Sequence, residues 1–262
     1  MASPPHIVPD WPDLPPGIGA LASTRVGGLS QGPYDDGQGG GGLNLGRHVG
    51  DDDAVVERNR AILQQGLPGR PAYISQVHGV VVVDAAQVGA DKPVLTADAS
   101  IASAPGVVCT VMTADCLPVL FADLEGKVVG AAHAGWRGLA AGILGETVTA
   151  MRKAGAGELT AWLGPAIGPQ QFEVGPDVLD GFLASAGSGA DETALRAAFR
   201  DYPGRPGKYL ADIYALARVF LQGQGVTRVS GGSYCTASDA ARFYSYRRDH
   251  VTGRQASLVW IK

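Results

Sequence analysis

Two runs of small and β-branched apolar residues, 118–122 and 128–132, flank the segment Asp123-Leu124-Glu125-Gly126-Lys127 and constrain this chain more than any other feature. Such runs on either side of a short glycine-containing turn form an antiparallel hairpin. A turn centred near Glu125 pairs each position with the one numbered about 250 minus its own, which sets Cys116 opposite His133 or Ala134. Directly opposed side chains stand about 5 Å apart at Cβ, so a thiolate and an imidazole can meet at the open end of the ribbon. A slip of one residue would turn a side chain to the other face.

A second imidazole comes from Gln76-Val77-His78-Gly79. No Cys-x-x-Cys is present, and His78, Cys116 and His133 are far apart in sequence, which suits a site assembled by tertiary structure. Three protein ligands leave a fourth tetrahedral position for water or substrate, as in catalytic zinc. The same donors also sketch a copper site, with Met112 nearby as a weak axial ligand; zinc ranks above copper. A cysteine hydrolase is the competing class, with Cys116 as nucleophile, His133 or His78 as base and Asp115 or Asp98 as orienter. Taken alone, His78 reads as a structural histidine and Cys109 as a small buried hydrophobe. His48 and His250 read as exposed or supporting residues, and His6 lies in a tail.

A chain of 262 residues can hold one large α/β or α+β domain, or two small ones, with a core that needs no staples. A formal net charge of -4 and a pI near 5.7 argue against a general nucleic-acid or membrane-surface binder. Three cysteines do not make a disulfide framework and fit a reducing compartment. The N-terminal stretch lacks the charged and apolar regions of a signal peptide, and no apolar run approaches membrane length, so a cytoplasmic protein is expected. A monomer is the expectation for its assembly, on which the sequence carries no signal. Glycine, at 38 copies, is about twice as frequent as usual. The run Gly37-Gln38-Gly39-Gly40-Gly41-Gly42 reads as a mobile surface loop. It is a poor phosphate cradle, since no Lys-Ser/Thr ends it and no strand-to-helix context surrounds it.

Strand and helix patterns interleave. Asp52 or Asp53 can cap a helix through Glu57, Ile62 and Leu63 that ends before Gly66-Leu67-Pro68. Gly138 opens a helix through Leu139, Ile143 and Val148 toward Gly155, whose free N-terminal amides would lie near the metal ligands, ready for an anion. Pro176 starts another through Leu179 and Phe182. Leu210, Ile213, Tyr214, Ala217, Phe220 and Leu221 recur at helical spacing, and 256–261 reads as a buried strand.

Several motifs resemble one family in order over almost the whole chain. They are Ser23-Thr24-Arg25-Val26-Gly27-Gly28, Leu43-Asn44-Leu45-Gly46-Arg47-His48-Val49-Gly50-Asp51, Gln76-Val77-His78-Gly79, Ala114-Asp115-Cys116, His133-Ala134-Gly135-Trp136-Arg137-Gly138, Gly164-Pro165-Ala166-Ile167-Gly168-Pro169 and Arg242-Phe243-Tyr244-Ser245-Tyr246-Arg247-Arg248. Together they are similar to the YfiH/laccase-domain family, once called multicopper polyphenol oxidases. The resemblance implies one α+β domain over residues 1–262 with a short Pro-rich N-terminal tail, a four-layer α/β/β/α sandwich with mixed sheets. It implies a metal site, usually assigned to zinc, with ligands matching His78, Cys116 and His133. It also implies a purine nucleoside enzyme that uses inorganic phosphate to phosphorolyse adenosine, inosine and methylthioadenosine, and that deaminates adenosine. The glycine run before Leu43 departs from the family pattern by lengthening a short loop.

Within that frame Cys116, His133 and Asp115 are the expected catalytic residues, Asp115 or Glu173 serving as the carboxylate that moves protons. The His-x-Glu and Pro-Cys-x-x-Cys signatures of zinc nucleobase deaminases do not occur. Phosphate needs cations, for which Arg25, Arg47, Arg242 and Arg248 are candidates. Asn44 and Ser245 can add polar contacts, and Phe243, Tyr244 and Trp136 can stack on a purine, although Trp136 suits a core equally well. Five histidines cannot supply the further ligands of a multicopper laccase, which leaves phenol oxidation as a side reaction of copper bound in the same place.

Overall fold

The hairpin forms from Leu117–Asp123 and Val129–Ala134 in the computed structural model, which describes residues 4–89, 92–185 and 191–262. Its register pairs Leu117 with Ala134 and Pro118 with His133. The backbone N–H of Asp123 donates to Val128 O at 3.0 Å, which leaves Leu124, Glu125, Gly126 and Lys127 as the loop. An even loop puts its centre between Glu125 and Gly126, so the register is shifted by one from the expected pairing. Cys116 stands across from Gly135, with His133 diagonally next to it.

Alternation along these strands separates two cores. Leu117, Val119, Phe121, Ala132 and Ala134 face a layer of helices, while Leu120, Ala122, Val129 and Ala131 face a second sheet. The hairpin is central in a six-stranded mixed sheet ordered Arg228–Gly231, Leu159–Leu163, Leu117–Asp123, Val129–Ala134, Ala99–Ala102, Val82–Asp84. Against it lies a five-stranded sheet ordered His6–Ile7, Ile18–Ser23, Gln255–Ile261, Val108–Thr113, Pro71–Ala72. Cys109, Val111 and Val259 point into the space between the sheets, and Cys109 is fully buried. Val108, Met112, Ala256 and Leu258 point the other way, onto Leu43, Leu45 and Leu63. Three apolar layers therefore separate four structural ones, α/β/β/α. Burying each Leu or Phe in them contributes about 1.5–3 kcal/mol.

Helices start where side chains can serve free N–H groups. Asp52 accepts from Ala54 and Val55 to open Asp53–Gln64, and Asp212 accepts from Tyr214 and Ala215 to open Ile213–Gly223. Pro176–Ala184 begins at its proline. Leu210 belongs to the strand Tyr209–Ala211, in a small sheet with Glu173–Val174 and Phe199–Asp201. The helix expected from Gly138 to Gly155 is two, Trp136–Ala141 and Ile143–Lys153. Gly142, at φ +100°, turns the chain between them. Among the described residues no helix is long and apolar enough to cross a membrane.

The glycine run is not the loose loop its composition suggests. Gly42 is buried, forms bridges to Val26 and Ser30, and its carbonyl accepts from Asn59 Nδ2 at 3.1 Å. Asn59, buried on the first helix, also donates to Ser30 Oγ and Asn44 O and accepts from Leu29 N–H. A Cβ on Gly42 would overlap Tyr34 O and Tyr244 Oη. Gly42→Ala is accordingly expected to destabilise the protein by about 2 kcal/mol or more in urea denaturation, whereas Gly157→Ala, where nothing lies within 4 Å, should stay within about 0.5 kcal/mol.

Candidate metal centre and substrate cleft

His133 follows Val129 and Ala131 on the strand face that looks toward the second sheet, at the end of Val129–Ala134. Cys116 immediately precedes the partner strand, after Asp115 at φ +89°. His78 arrives on a separate loop, at φ +62°. Positive φ at two non-glycine residues beside one cluster marks backbone held by its surroundings. The structure brings His78, Cys116 and His133 together, with their ligand atoms all within 4.8 Å of one another. Cys116 Sγ lies 3.6 Å from His78 Nε2, and the two imidazole rings meet edge to face at 4.8 Å between centroids.

This donor set fits zinc. Zn–S near 2.3 Å and Zn–N near 2.0–2.1 Å in a tetrahedron place sulfur and nitrogen about 3.5 Å apart, close to the separation found. His78 is exposed, Cys116 half-buried and His133 buried, so the cluster opens to one side. Gly135 is required behind it: a Cβ there would stand 2.6 Å from His78 Cδ2 and 3.0 Å from Cys116 Sγ.

Asp98 underlies the cluster. Its Oδ1 accepts from His133 Nδ1 at 2.9 Å and from His78 N–H at 2.8 Å, and its Oδ2 from Gly79 N–H at 2.7 Å. Burial pushes its carboxyl up, but these hydrogen bonds and the charge of His133 outweigh that and hold it below the usual value. Burial likewise opposes charge on Cys116 and His133, yet each stabilises the other. The thiol falls to about 6 and the imidazole rises to about 9. Both directions favour a thiolate beside an imidazolium, and a metal would compete with the His133 proton for the ring nitrogen.

Two adjoining cavities, of about 250 Å³ and about 270 Å³, share His78, Ala114, Cys116 and Tyr246. The first is walled by Trp136, Ile167, Phe172 and Ile213, with Asp115, Arg137 and Arg247. The second is more polar, with His48, Gln76, Thr113, His133 and Arg254. Gln76 is fixed by pairing its amide with the backbone N–H and C=O of Met112.

The substrate contacts expected from the sequence line neither cavity. Arg25 is buried, donating to Asp35 O and Ala240 O and stacking on Tyr244. Asn44 is buried and ties Gly46, Asp51 and the backbone of Arg254 together. Arg47 pairs with Asp53 at the surface, and Arg242 with Asp239. Ser245 caps the turn Tyr246–Asp249, and Arg248 donates to the carbonyls of Thr236, Ala237 and Phe243. Phe243 and Tyr244 are core, while Trp136 does reach the cleft. Asp115 lines it too, but its two oxygens accept from Thr236 Oγ1 and Arg247 N–H, both at 2.6 Å. Glu173 pairs with Arg205. The helix expected to offer amides to an anion is the six-residue Trp136–Ala141, whose dipole is small.

The cleft's cations are instead Arg137, Arg247 and Arg254. Arg137 stacks on Trp136 and Arg247 on Phe172 while donating to Glu173 O. The sequence carried a signal for two of them, since Arg137 and Arg247 sit inside the motifs around His133 and Ser245.

Gly135→Ala should displace His78 and Cys116, and equilibrium dialysis should show bound metal falling at least tenfold while the far-UV spectrum is kept. In metal-free protein the thiolate fraction rises as pH passes the thiol's value. Alkylation of the Cys116 peptide, followed by mass spectrometry, should thus be half-maximal near pH 6 instead of near the ordinary thiol value.

Residues 19–262 match the family described as multi-copper polyphenol oxidoreductase laccase. The chain is 52% identical over 256 residues to purine nucleoside phosphorylase PA4543 of Pseudomonas aeruginosa, covering 98% of each chain. It is 48% identical over 257 residues to purine nucleoside phosphorylase YfiH of Escherichia coli K12, covering 97% of this chain and 98% of that one. The crystal structure of Neisseria meningitidis protein NMB0706 superposes with a TM-score of 0.86 at 46% identity, covering 98% of this chain and 99% of that one. With the motifs, the layers and these likenesses in agreement, this chain belongs to the YfiH/laccase-domain family.

Proposed function

We propose that this protein is a zinc-dependent purine nucleoside phosphorylase acting on adenosine, inosine and methylthioadenosine, with adenosine deamination in the same cleft. The observation that carries the reading is the open cluster of two imidazoles and a thiolate between an aromatic cavity and a polar cationic one. The names of the Pseudomonas and Escherichia relatives support the reaction class.

In this reading the purine lies between Trp136 and Phe172, where flat apolar area and the guanidinium groups of Arg137 and Arg247 favour an electron-rich ring. The ribose crosses the shared strip of His78, Cys116 and Tyr246, and phosphate sits against Arg254 and His48. A phosphate oxygen bonds to the anomeric carbon as the bond to the base nitrogen breaks. The electron pair leaves with the base, which takes up a proton that the dihydrogen phosphate co-substrate brings. His78, Cys116 and His133 would hold the zinc, which would supply Lewis acidity at the shared strip of the two cavities. Asp115 holds the backbone of Arg247 on the cavity wall through one oxygen and Thr236 through the other, and each oxygen keeps a lone pair for the proton transfer expected of it.

Adenosine incubated with the pure protein should give adenine and ribose 1-phosphate only when phosphate is present, and inosine without a phosphate requirement would report the deaminase step. Cys116→Ala should lose bound zinc and at least about 100-fold in turnover; full activity in that variant sinks the assignment. Arg254→Ala should raise the KM for phosphate about tenfold or more, with a smaller change in that for nucleoside.

A further inference from the structure

One buried carboxylate holds both histidines of the centre, one by its ring and the other by its backbone. Asp98 is fully buried, just before the strand Ala99–Ala102, whose Ala99 pairs with Ala132, so that it falls opposite His133. Its backbone carbonyl accepts from His133 N–H at 2.7 Å. Its Oδ1 accepts from His133 Nδ1 at 2.9 Å and from His78 N–H at 2.8 Å. Its Oδ2 accepts from Gly79 N–H at 2.7 Å and from Val77 N–H at 3.2 Å. An ionised carboxylate offers only acceptor sites, and here each oxygen meets two donors.

The two histidines need different things from that group. A proton held on His133 Nδ1 leaves Nε2, once its own proton is displaced, as the ring nitrogen that offers a lone pair to a metal beside Cys116. His78 receives no such side-chain bond from Asp98; its backbone is held instead. A left-handed backbone is disfavoured for histidine, and three consecutive N–H groups bound to one carboxylate hold the loop in that shape.

We infer that Asp98 is the positioning residue of the metal centre, setting the tautomer of His133 and the loop conformation of His78 with the same carboxylate. The inference rests on the zinc reading above. Asparagine cannot substitute. If its NH2 faced His133 and His78, the imidazole would have to accept at Nδ1 and carry its proton on Nε2, closing that nitrogen to a metal. If its NH2 faced Val77 and Gly79, two N–H donors would meet a third and the loop would be released.

Full-length wild-type protein and Asp98→Asn, both stripped of metal, are titrated with zinc against a chromophoric chelator, without substrate. The wild type should bind one equivalent, and Asp98→Asn should bind about 10–100-fold more weakly with an unchanged far-UV spectrum. Equal affinity in the two proteins overturns the role of Asp98 and leaves the metal reading standing. No zinc binding by the wild type overturns both. A merely structural role would lower the urea midpoint of metal-free Asp98→Asn and leave the zinc affinity of its folded form unchanged, which also overturns the inference. If the variant does not fold, nitrogen-15 spectra of the zinc-loaded wild type decide. A proton on His133 Nδ1 is the expected result, and one on Nε2 overturns the inference.

Discussion

A carboxylate taken out of water destabilises a fold by several kcal/mol unless each oxygen finds donors, and Asp98 finds them on two other segments at once. Its own strand edge, the end of the hairpin and the loop of residues 77–79 are joined through that one group. Each segment brings part of the centre: the hairpin brings Cys116 and His133, and the loop brings His78. The arrangement makes the site's geometry inseparable from the pairing of Ala99–Ala102 with Val129–Ala134. It also accounts for a buried acid beside a sheet whose inward face carries Leu120, Ala122, Val129 and Ala131.

Electrostatics divide the cleft along the same line. Inside, Asp98 and Cys116 both face His133, so two acidic groups share one imidazole. Outside, Arg137, Arg247 and Arg254 stand along the walls, the first two with aromatic faces beside them, and Asp115, the one carboxylate among the described lining residues, accepts from Thr236 and from the backbone of Arg247. A chain with a net charge of -4 thus presents a locally positive mouth. An anionic co-substrate is drawn to that mouth and not to the surface at large.

The hairpin and most helix starts were legible in the sequence because they depend on neighbours close along the chain, whereas His78 comes to Cys116 and His133 from a separate loop. Asp52 and Asp212 cap helices through N–H groups two and three residues away, and strand alternation needs only local spacing. The register missed by one, since it turns on whether the loop holds an odd or even number of residues. Arginine roles were not legible. Arg25 and Arg248 end on carbonyls that other segments supply, and nothing local separates such a side chain from one that faces a ligand. Arg247 and Arg248 are adjacent, yet one reaches the cavity and the other braces the backbone behind it. The glycine run misled for a related reason. Absence of side chains reads as looseness, but at Gly42 it is what lets Tyr34, Asn59 and Tyr244 close over the backbone.

The strand Gln255–Ile261 lies in the middle of its sheet, between Ile18–Ser23 and Val108–Thr113. During synthesis Ile18–Ser23 must therefore wait, with one edge unpaired and its apolar side chains uncovered, while nearly all of the intervening chain is made. The hairpin sheet has its central strands early and can assemble around them first. The second sheet, and the face that closes over His133, can only be zipped shut at the end, so the order of translation gives this fold a long open-sided stage in which a chaperone has something to hold.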